Sequence, residues 1–533
     1  MAQKIRLPGV SDDDAAVLSE NLAVLQHKQR RNYLRACYYD GRRVAHMVSP
    51  VVPPLYQQLA LVLGWSGKAV DLLARRCNLD GFSWPDGDLD AIGGAELFEA
   101  NSLRAETNQA ITDGLIHSSA FVVNTLGGDG EPAGLIHFKS AMDATGQWNS
   151  RTRRLNNLLS ITDRRDGKVT GLVLYLDGRT ITAEKSGSRW SVEQSEHPWG
   201  VPADHLPYRP RLKRPFGSSR ISRPMMSIQD SAVRELMRLE GHLDVFSFPD
   251  YWMLGADESI FRNADGSPQA AWQVVLGRLR GIPDDADRVG DPGARADVKQ
   301  FPAASPQPHL AALNGFAKLF SREASLPDTA LAITDVSNPT SAESYDSSQY
   351  ELIAEAEGAT DDWSPALARA FRRGLAMANG FDAVPPQWSS IAPKWRNPRY
   401  LTKAAQADAG QKQIAAVPWL AETKIGLELL GLTQQQVAEA MGERARAQSL
   451  ARLDMLASLG PMPQAASTDV PTTGAEDADV MKAKFDALGV AVRAGVSPED
   501  AARRLGLEGI QFTGAVPVAL RMPESQAGSL EER

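Results

Sequence analysis

The most regular hydrophobic pattern in the chain lies between residues 222 and 247. Apolar side chains recur there every three or four residues, at Met225, Ile228, Ala232, Leu236, Leu239, Leu243 and Phe246. Ser222 can cap the first turn, which tolerates Pro224, and Pro249 with Gly255 indicates the exit. The pattern predicts one helical face held for about six turns, roughly 35 Å. By periodicity alone, this is a long core helix.

Helical periodicity recurs on both sides of this element. Predicted helices cover residues 11–36, capped by Ser11, then 55–77, 94–118, a segment starting after Pro306 or Pro308, 419–457 with Thr433 as an internal cap, and two short helices within 479–506. A capping box at residues 340–343 predicts a further helix that breaks at Gly358, restarts at residue 360 and ends at Gly380. Residues 459–478 have the composition of a flexible linker.

Between residues 134 and 200 the period changes to two. Short apolar runs alternate there with turn residues at 165–167, 177–178 and 186–188. Asp-Gly between apolar runs is a strong hairpin signal. The chain is therefore predicted to be α+β, mostly helical, with a small antiparallel sheet and an extended insert between two helices.

Composition narrows the class of protein. The chain has 533 residues, 43% hydrophobic and 23% charged, as in ordinary globular proteins. It contains no apolar run long enough to span a membrane, and residues 1–21 lack a signal core. Cys37 and Cys77 are expected to be buried thiols rather than a disulfide. A net charge of −8 argues against a protein that coats nucleic acid.

One stretch of this acidic chain has a positive net charge. Between residues 206 and 223 the chain carries six cations and no Asp or Glu: Arg209, Arg211, Lys213, Arg214, Arg220 and Arg223. A substrate groove for nucleic acid is one interpretation of this stretch.

Motifs for catalysis or metal binding are weak. The eight histidines are scattered without ligand spacing, so no zinc site is predicted. Residues 64–68 resemble the end of a phosphate loop, but Val62 stands where that loop needs Gly. Gly217-Ser218-Ser219 could hold an anion at a helix start, although a plain cap is favoured. Residues 496–507 could open a helix-turn-helix, but no recognition helix follows. No catalytic residue, cofactor or metal is predicted.

A family resemblance emerges from motifs spread in order along the chain. They are residues 38–41, 70–71 through 81–82, 216–227 with 248–249 and 254–255, 300–301 with 305–306, 326–327, 339–343, 487–489 with 493–496, and 512–517. The sequence FGSSRISRPMMS at 216–227 is the most specific of them. In these motifs the chain resembles portal proteins of tailed double-stranded DNA bacteriophages, of the siphophage type found in actinobacterial hosts.

The resemblance implies a phage portal fold and a ring, typically of twelve subunits, at one capsid vertex. The expected parts are a wing (1–215), a first stem helix (216–247), a clip (248–306), a second stem helix (307–325), a tunnel loop (326–345), a long broken helix with wing or crown helices (346–458), a linker (459–478) and a C-terminal crown or tail segment (479–533). Such a ring conducts DNA during packaging and ejection, so the chain is expected in the virion and, during assembly, in the host cytoplasm.

The resemblance also implies sites and partners. Ser337, Asn338, Thr340 and Ser341 are expected in the tunnel loop, where uncharged side chains suit a moving duplex. Arg278, Arg280 and Arg288 are expected in the clip, facing the terminase large subunit or head-completion adaptors. Major capsid protein and scaffold are further expected partners, and no membrane is expected.

The six cations at 209–223 become a candidate subunit interface or channel mouth. Two alternatives stay open: a nucleic-acid-processing enzyme that uses 209–223 as its groove, and a minor capsid or scaffold protein without a channel.

Overall fold

The computed structural model describes residues 5–42, 61–246, 250–254, 265–267, 279–282, 297–301, 304–327, 330–331, 348–399, 403–458, 484–485, 487–489, 491 and 497–507. The chain divides into two compact units, residues 1–399 and residues 400–533. This boundary falls inside residues 346–458, which the family resemblance implies to be one part.

The helices of the first unit are α1 (Asp12–Tyr39), α2 (Trp65–Ala74), α3 (Gly94–Ala100), α4 (Leu103–His117), α5 (Arg223–Phe246), α6 (Gln307–Glu323) and α7 (Tyr350–Ala378). Its strands are β1 (Leu79–Ser83), β2 (Ser119–Leu126), β3 (Gly134–Ser140), β4 (Ala144–Asn149), β5 (Arg154–Arg165), β6 (Lys168–Leu176), β7 (Arg179–Ser186), β8 (Arg189–Glu196), β9 (Ala203–Pro207), β10 (Asp250–Leu254), β11 (Leu279–Ile282), β12 (Asp297–Phe301) and β13 (Ala392–Trp395). The second unit contains α8 (Lys403–Ala416), α9 (Lys424–Leu429), α10 (Gln434–Ser458) and α11 (Pro498–Arg504).

A five-stranded antiparallel sheet forms where the period-two pattern lies, in the order β4-β5-β6-β7-β8. Its turns confirm the predicted hairpins, because Asp166 and Gly167 both adopt positive φ and Gly178 and Gly187 do the same. Helix α1 covers one face of this sheet, with Leu18 and Leu22 in the shared core. Ser11 caps α1 as predicted, accepting a hydrogen bond from the Asp14 amide.

A second sheet has the order β3-β2-β9, so residues 134–140 do not join the five-stranded sheet as the sequence suggested. Strand β2 lies between β3 and β9 and pairs antiparallel with both. Helices α4 and α7 both pack on this sheet. The approach of α7 is close, because a Cβ on Gly134 would lie 2.1 Å from the Gly374 carbonyl oxygen.

Helix α7 corrects one prediction. The break at Gly358 is wrong, because the helix is continuous from Tyr350 to Ala378 and even contains Pro365. An interior glycine costs a helix only about 1 kcal/mol. Burial of Ala356, Ala359 and Trp363 on either side outweighs that cost. The capping box predicted to open this helix lies outside the described residues.

The predicted helix 94–118 is also interrupted, because Ser102 adopts a φ of +48° between α3 and α4. By contrast, α5 and α6 lie where the sequence predicts helices. Ser222 Oγ accepts a hydrogen bond from the Met225 amide, which confirms the cap of α5.

Two small sheets complete the first unit. Strand β13 pairs with β1, and Trp395 lies opposite Leu79. Strand β10 pairs with β11 in parallel and with β12 antiparallel.

The second unit has a small core of its own. Leu453 from α10 packs there with Leu488, Ala501 and Leu505. Ser497 caps α11 by accepting a hydrogen bond from the Asp500 amide.

Candidate functional site

A buried polar network lies at the base of α5. The guanidinium of Arg220 donates from Nε to the Ala69 carbonyl oxygen (2.8 Å) and from Nη2 to the Ala324 carbonyl oxygen (2.8 Å). Its Nη1 donates to the Tyr208 hydroxyl at 3.0 Å. Arg220 therefore joins the chain after α6 to α2 and to the end of β9.

The carboxylate of Glu355 on α7 completes this network. Its Oε2 lies 2.6 Å from Arg220 Nη1, and its Oε1 lies 2.6 Å from Arg209 Nη2. The Tyr208 hydroxyl also donates to Glu355. One carboxylate thus holds two of the six cations of the basic stretch.

The surroundings of Arg220 and Tyr208 determine the protonation state of each side chain. Burial opposes the cationic form of Arg220, but Tyr208 and Glu355 together raise its pKa above the ordinary value. Burial raises the pKa of the Tyr208 hydroxyl, so this group stays a neutral donor. Every guanidinium nitrogen of Arg220 is bonded within the chain, so this buried ion pair has a role in the fold. The prediction of an interface or channel mouth is wrong for Arg220, because its side chain is enclosed within its own chain.

The remaining cations of the stretch are exposed. Arg211 and Arg214 form a β-bridge, their backbone amides bonding each other's carbonyl oxygens across a turn at Leu212 and Lys213. We call residues 209–215 the basic hairpin. Arg223 is exposed at the start of α5. The six predicted cations therefore lie in three different places. Arg220 is buried in an ion pair, Arg223 lies at the start of α5, and the other four lie in the basic hairpin.

In the two segments that the sequence suggested as anion sites, polar groups form hydrogen bonds within the chain. Ser219 Oγ donates to the Ile116 carbonyl oxygen (2.6 Å), and the Ser218 amide donates to the Tyr208 carbonyl oxygen. In the phosphate-loop-like segment, the Ser66 amide and hydroxyl both donate to Gln229 Oε1. These polar groups are therefore already used in bonds within the chain.

Helices α5 and α6 form an antiparallel pair. Ser222 Oγ donates to Glu323 Oε1 (3.0 Å) at one end, and His242 Nε2 lies 2.9 Å from the Ala304 carbonyl oxygen at the other. Midway, His309 Nδ1 lies 2.7 Å from Glu235 Oε1. Burial disfavours the Glu235 carboxylate, but the bonds from His309 and Arg238 outweigh it and lower its pKa. The pair is held by polar contacts along its length.

Apolar side chains lie uncovered at both ends of this pair in the single chain. Leu243 and Phe246 of α5 are 41% and 39% exposed, and Leu319 of α6 is 53% exposed. The first half of α5 is buried in the main core through Met225, Ala232 and Met237. The predicted apolar face is thus only partly used within the chain.

The structure describes only part of one of the other predicted site residues. Arg280 lies in β11 and pairs with Trp252 of β10, and only its backbone is described. Arg278, Arg288, Ser337, Asn338, Thr340 and Ser341 lie outside the described residues.

Within the described residues, no group of three or more His, Cys, Asp or Glu side chains could hold a metal ion. No helix among them is long and apolar enough to cross a bilayer.

Sequence reasoning missed the acidic partners of the buried arginines. Besides Glu355, Asp204 on β9 binds two arginines of α7, with 2.7 Å to Arg369 Nε and 2.9 Å to Arg373 Nη2. Both carboxylates are distant in sequence from their partners. The only available signal was that arginines at core-facing positions of a helix require a buried partner.

Comparisons with known proteins identify the family. The model of the family described as "Phage portal protein, SPP1 Gp6-like" matches residues 28–449. The portal protein of Mycobacterium phage L5 is 26% identical over 419 residues, covering 76% of this chain and 84% of the relative. The portal protein of Mycobacterium phage D29 is 25% identical over the same length and coverage.

Among solved structures, a chain from the neck of the empty gene transfer agent particle has a TM-score of 0.38 and 16% identity, covering 70% of this chain and 90% of that one. A chain from the native particle's neck, computed with C12 symmetry, has a TM-score of 0.33 and 17% identity, covering 69% and 90%. The family assignment depends on the sequence matches. These matches confirm the resemblance seen in the motifs, including the actinobacterial phages. The chain therefore belongs to the SPP1 Gp6-like family of phage portal proteins, which are structural and non-enzymatic components of the virion.

Proposed function

We propose that the chain forms a ring, typically of twelve subunits, at one vertex of the capsid. Double-stranded DNA passes through this ring during packaging and again during ejection. The family membership supports the proposal, and the observation that carries the ring itself is the α5–α6 pair. Its side chains Leu243, Phe246 and Leu319 are exposed in the single chain and are suited to burial against neighbouring subunits.

In this proposal α5 and α6 are the stem. Helix α5 has 24 residues and α6 has 17, which correspond to about 36 Å and about 26 Å. The polar contacts hold the two helices together, and their exposed apolar side chains contact the neighbouring subunits. The first unit before α5 supplies the wing, and the second unit supplies crown helices.

The small sheet of β10, β11 and β12 belongs to the proposed clip, residues 248–306. We assign Arg278, Arg280 and Arg288 to its contact with the terminase large subunit during packaging and with head-completion adaptors afterwards. Replacing all three by Ser should abolish terminase pull-down while rings persist. Normal pull-down with these variants would remove the assignment.

The proposed tunnel loop spans residues 326–345 and presents Ser337, Asn338, Thr340 and Ser341 to DNA. Uncharged side chains limit phosphate contacts, each of which adds affinity through counterion release. Major capsid protein and scaffold would hold the wing during assembly in the host cytoplasm.

The competing function is a minor capsid or scaffold protein without a channel. Electron microscopy of the purified full chain distinguishes the two, since only a portal forms rings with a central hole. The alternative of a nucleic-acid-processing enzyme is not retained, because the family is non-enzymatic.

A further inference from the structure

An uncompensated basic face lies where the basic hairpin meets α1. The second half of α1, residues 21–39, contains Lys28, Arg30, Arg31 and Arg35 and no acidic residue. Burial and then the charges of Arg31 and Arg214 lower the pKa of Arg35 to about 10, so the charge of the basic hairpin acts on α1. Within the described residues, Arg31, Arg211, Lys213 and Arg214 have no carboxylate at salt-bridge distance.

Two acidic side chains, one at the end of α1 and one just before β4, already have cationic partners. Asp40 pairs with Arg42, and Asp143 pairs with Arg164. At the tip of the basic hairpin, between its cations, Leu212 is 98% exposed. A leucine with this exposure on a two-residue turn contributes nothing to the fold of its own chain. The hairpin thus combines a projecting apolar tip with unmatched positive charge.

An acidic segment of comparable extent lies elsewhere on the same unit. Residues 77–103 contain no Lys or Arg, and they include the exposed acidic side chains Asp86, Asp88, Asp90, Glu96 and Glu99. We call residues 86–99 the acidic segment. It includes α3, which packs against the start of α4.

Helix α4 separates the two charged regions. Its first residue, Leu103, shares a core with Leu97 and Phe98 of the acidic segment. At its other end, the Ser118 carbonyl oxygen accepts from the Tyr208 amide at the base of the basic hairpin (2.9 Å). The helix has 15 residues, or about 22 Å. The acidic segment and the basic hairpin therefore lie at opposite ends of one rigid element.

This polarity is tolerated in a single chain because each region complements the α4 dipole. Acidic side chains lie near the helix N-terminus and cations lie near its C-terminus, where each is favourable by a few tenths of a kcal/mol. Within the described residues, no carboxylate lies at salt-bridge distance from Arg211, Lys213 or Arg214, and no cation lies at that distance from Asp86 or Glu99. Opposite patches at opposite ends are what a head-to-tail contact between identical subunits requires.

We infer that the basic hairpin of one subunit docks on the acidic segment of the next, with Leu212 at the centre of the contact, so that this pairing sets the order of subunits around the ring. The inference rests on the proposed ring. A second copy is favoured over nucleic acid as the occupant, because a phosphate-binding patch needs no matching acidic patch on the far side of the same unit.

Charge reversal tests the pairing in the full-length chain. The basic variant carries Arg211→Glu and Lys213→Glu, and the acidic variant carries Asp86→Lys and Glu99→Lys. None of these side chains has an ion pair in the described structure, so each variant should fold with an unchanged near-ultraviolet circular dichroism spectrum. Lys168→Glu with Arg189→Glu, exposed on the five-stranded sheet, gives a control with the same charge change as the basic variant.

Ring content is measured by native mass spectrometry and electron microscopy at a series of protein concentrations. Each variant alone should need at least about tenfold more protein to reach half-maximal ring content, because like charges then face each other. The four-residue combination should restore rings, and the control should resemble the wild type.

Several results separate the possible failures. Wild-type chain that forms no rings would defeat the proposed function itself. Wild-type rings that persist in both variants, or a combination no better than either alone, would overturn the pairing. Intact rings that lose binding to a 30-base-pair duplex in the basic variant would also overturn it and assign the hairpin to nucleic acid.

Discussion

Glu355 and Arg220 form an ion pair of 2.6 Å that is buried within the first unit. The pair connects α7 to the chain segment that enters α5. Tyr208 bonds to Arg220, and Arg209 pairs with Glu355 in the same network. Because α5 is the proposed stem and α7 packs on the sheet β3-β2-β9, this contact fixes the direction in which the stem leaves the wing.

Replacing Glu355 by Gln should destabilise the first unit. The change leaves the Arg220 guanidinium buried without a counter-charge, which typically costs about 3–5 kcal/mol. Thermal or urea unfolding of the purified chain measures the loss. Glu357→Gln, an exposed change in the same helix turn, should stay within about 0.5 kcal/mol of wild type. Equal stability of the two variants would contradict the role of the pair.

His117 predicts an acid-dependent loss of stability. Burial, followed by the charge of Arg35, lowers its pKa from 6.5 to about 4. The unfolded chain binds a proton below pH 6.5 that the folded chain accepts only near pH 4. Folding stability is therefore lost as the pH falls through this window, by at most about 3 kcal/mol.

The variant His117→Gln removes this proton uptake. The difference in unfolding free energy between wild type and variant should be constant above pH 7 and should shift in favour of the variant between pH 6.5 and 4. Urea unfolding at a series of pH values measures it, with the region above pH 7 as the internal reference. A difference that does not vary with pH would contradict the buried neutral imidazole.

Two glycines of α7 should respond oppositely to alanine. A Cβ on Gly358 meets no atom within 4 Å, so Gly358→Ala should stabilise the helix by up to about 1 kcal/mol. A Cβ on Gly374 would lie 2.7 Å from Ile136 Cδ1, so Gly374→Ala should destabilise by about 1–3 kcal/mol. Urea unfolding of both variants tests the continuous helix. A destabilising Gly358→Ala would indicate that the helix does break there.

The tunnel-loop assignment predicts an effect of added positive charge. Ser337→Lys, Asn338→Lys, Thr340→Lys or Ser341→Lys should slow packaging, because each cation adds a phosphate contact that must break as DNA advances. The amount of DNA in particles assembled with each variant is the readout. Ser188→Lys, on an exposed turn of the five-stranded sheet, is the matched control. Normal DNA content in the loop variants would refute the assignment.

Local features of the fold were predictable because their causes are local. The Ser11 and Ser222 caps, the hairpin at Asp166-Gly167 and the start of α6 after Pro306 each depend on residues a few positions apart. Gly358 misled the prediction because tertiary burial outweighs a weak propensity.

The pairings that build the site were not predictable from a single sequence. Arg220 with Glu355, Asp204 with two arginines of α7, and β1 with β13 are contacts between distant segments. A run of cations gives no indication of which member will be buried. The sequence therefore marked residues 209–223 as unusual, and only the fold distinguishes the internal Arg220 from the exposed basic hairpin.

The ring is the central claim, and negative-stain electron microscopy of the purified full-length chain tests it most directly. We expect ring-shaped particles with a central hole, typically with twelve subunits. Monomers and dimers alone, across protein concentrations and ionic strengths, would contradict the account.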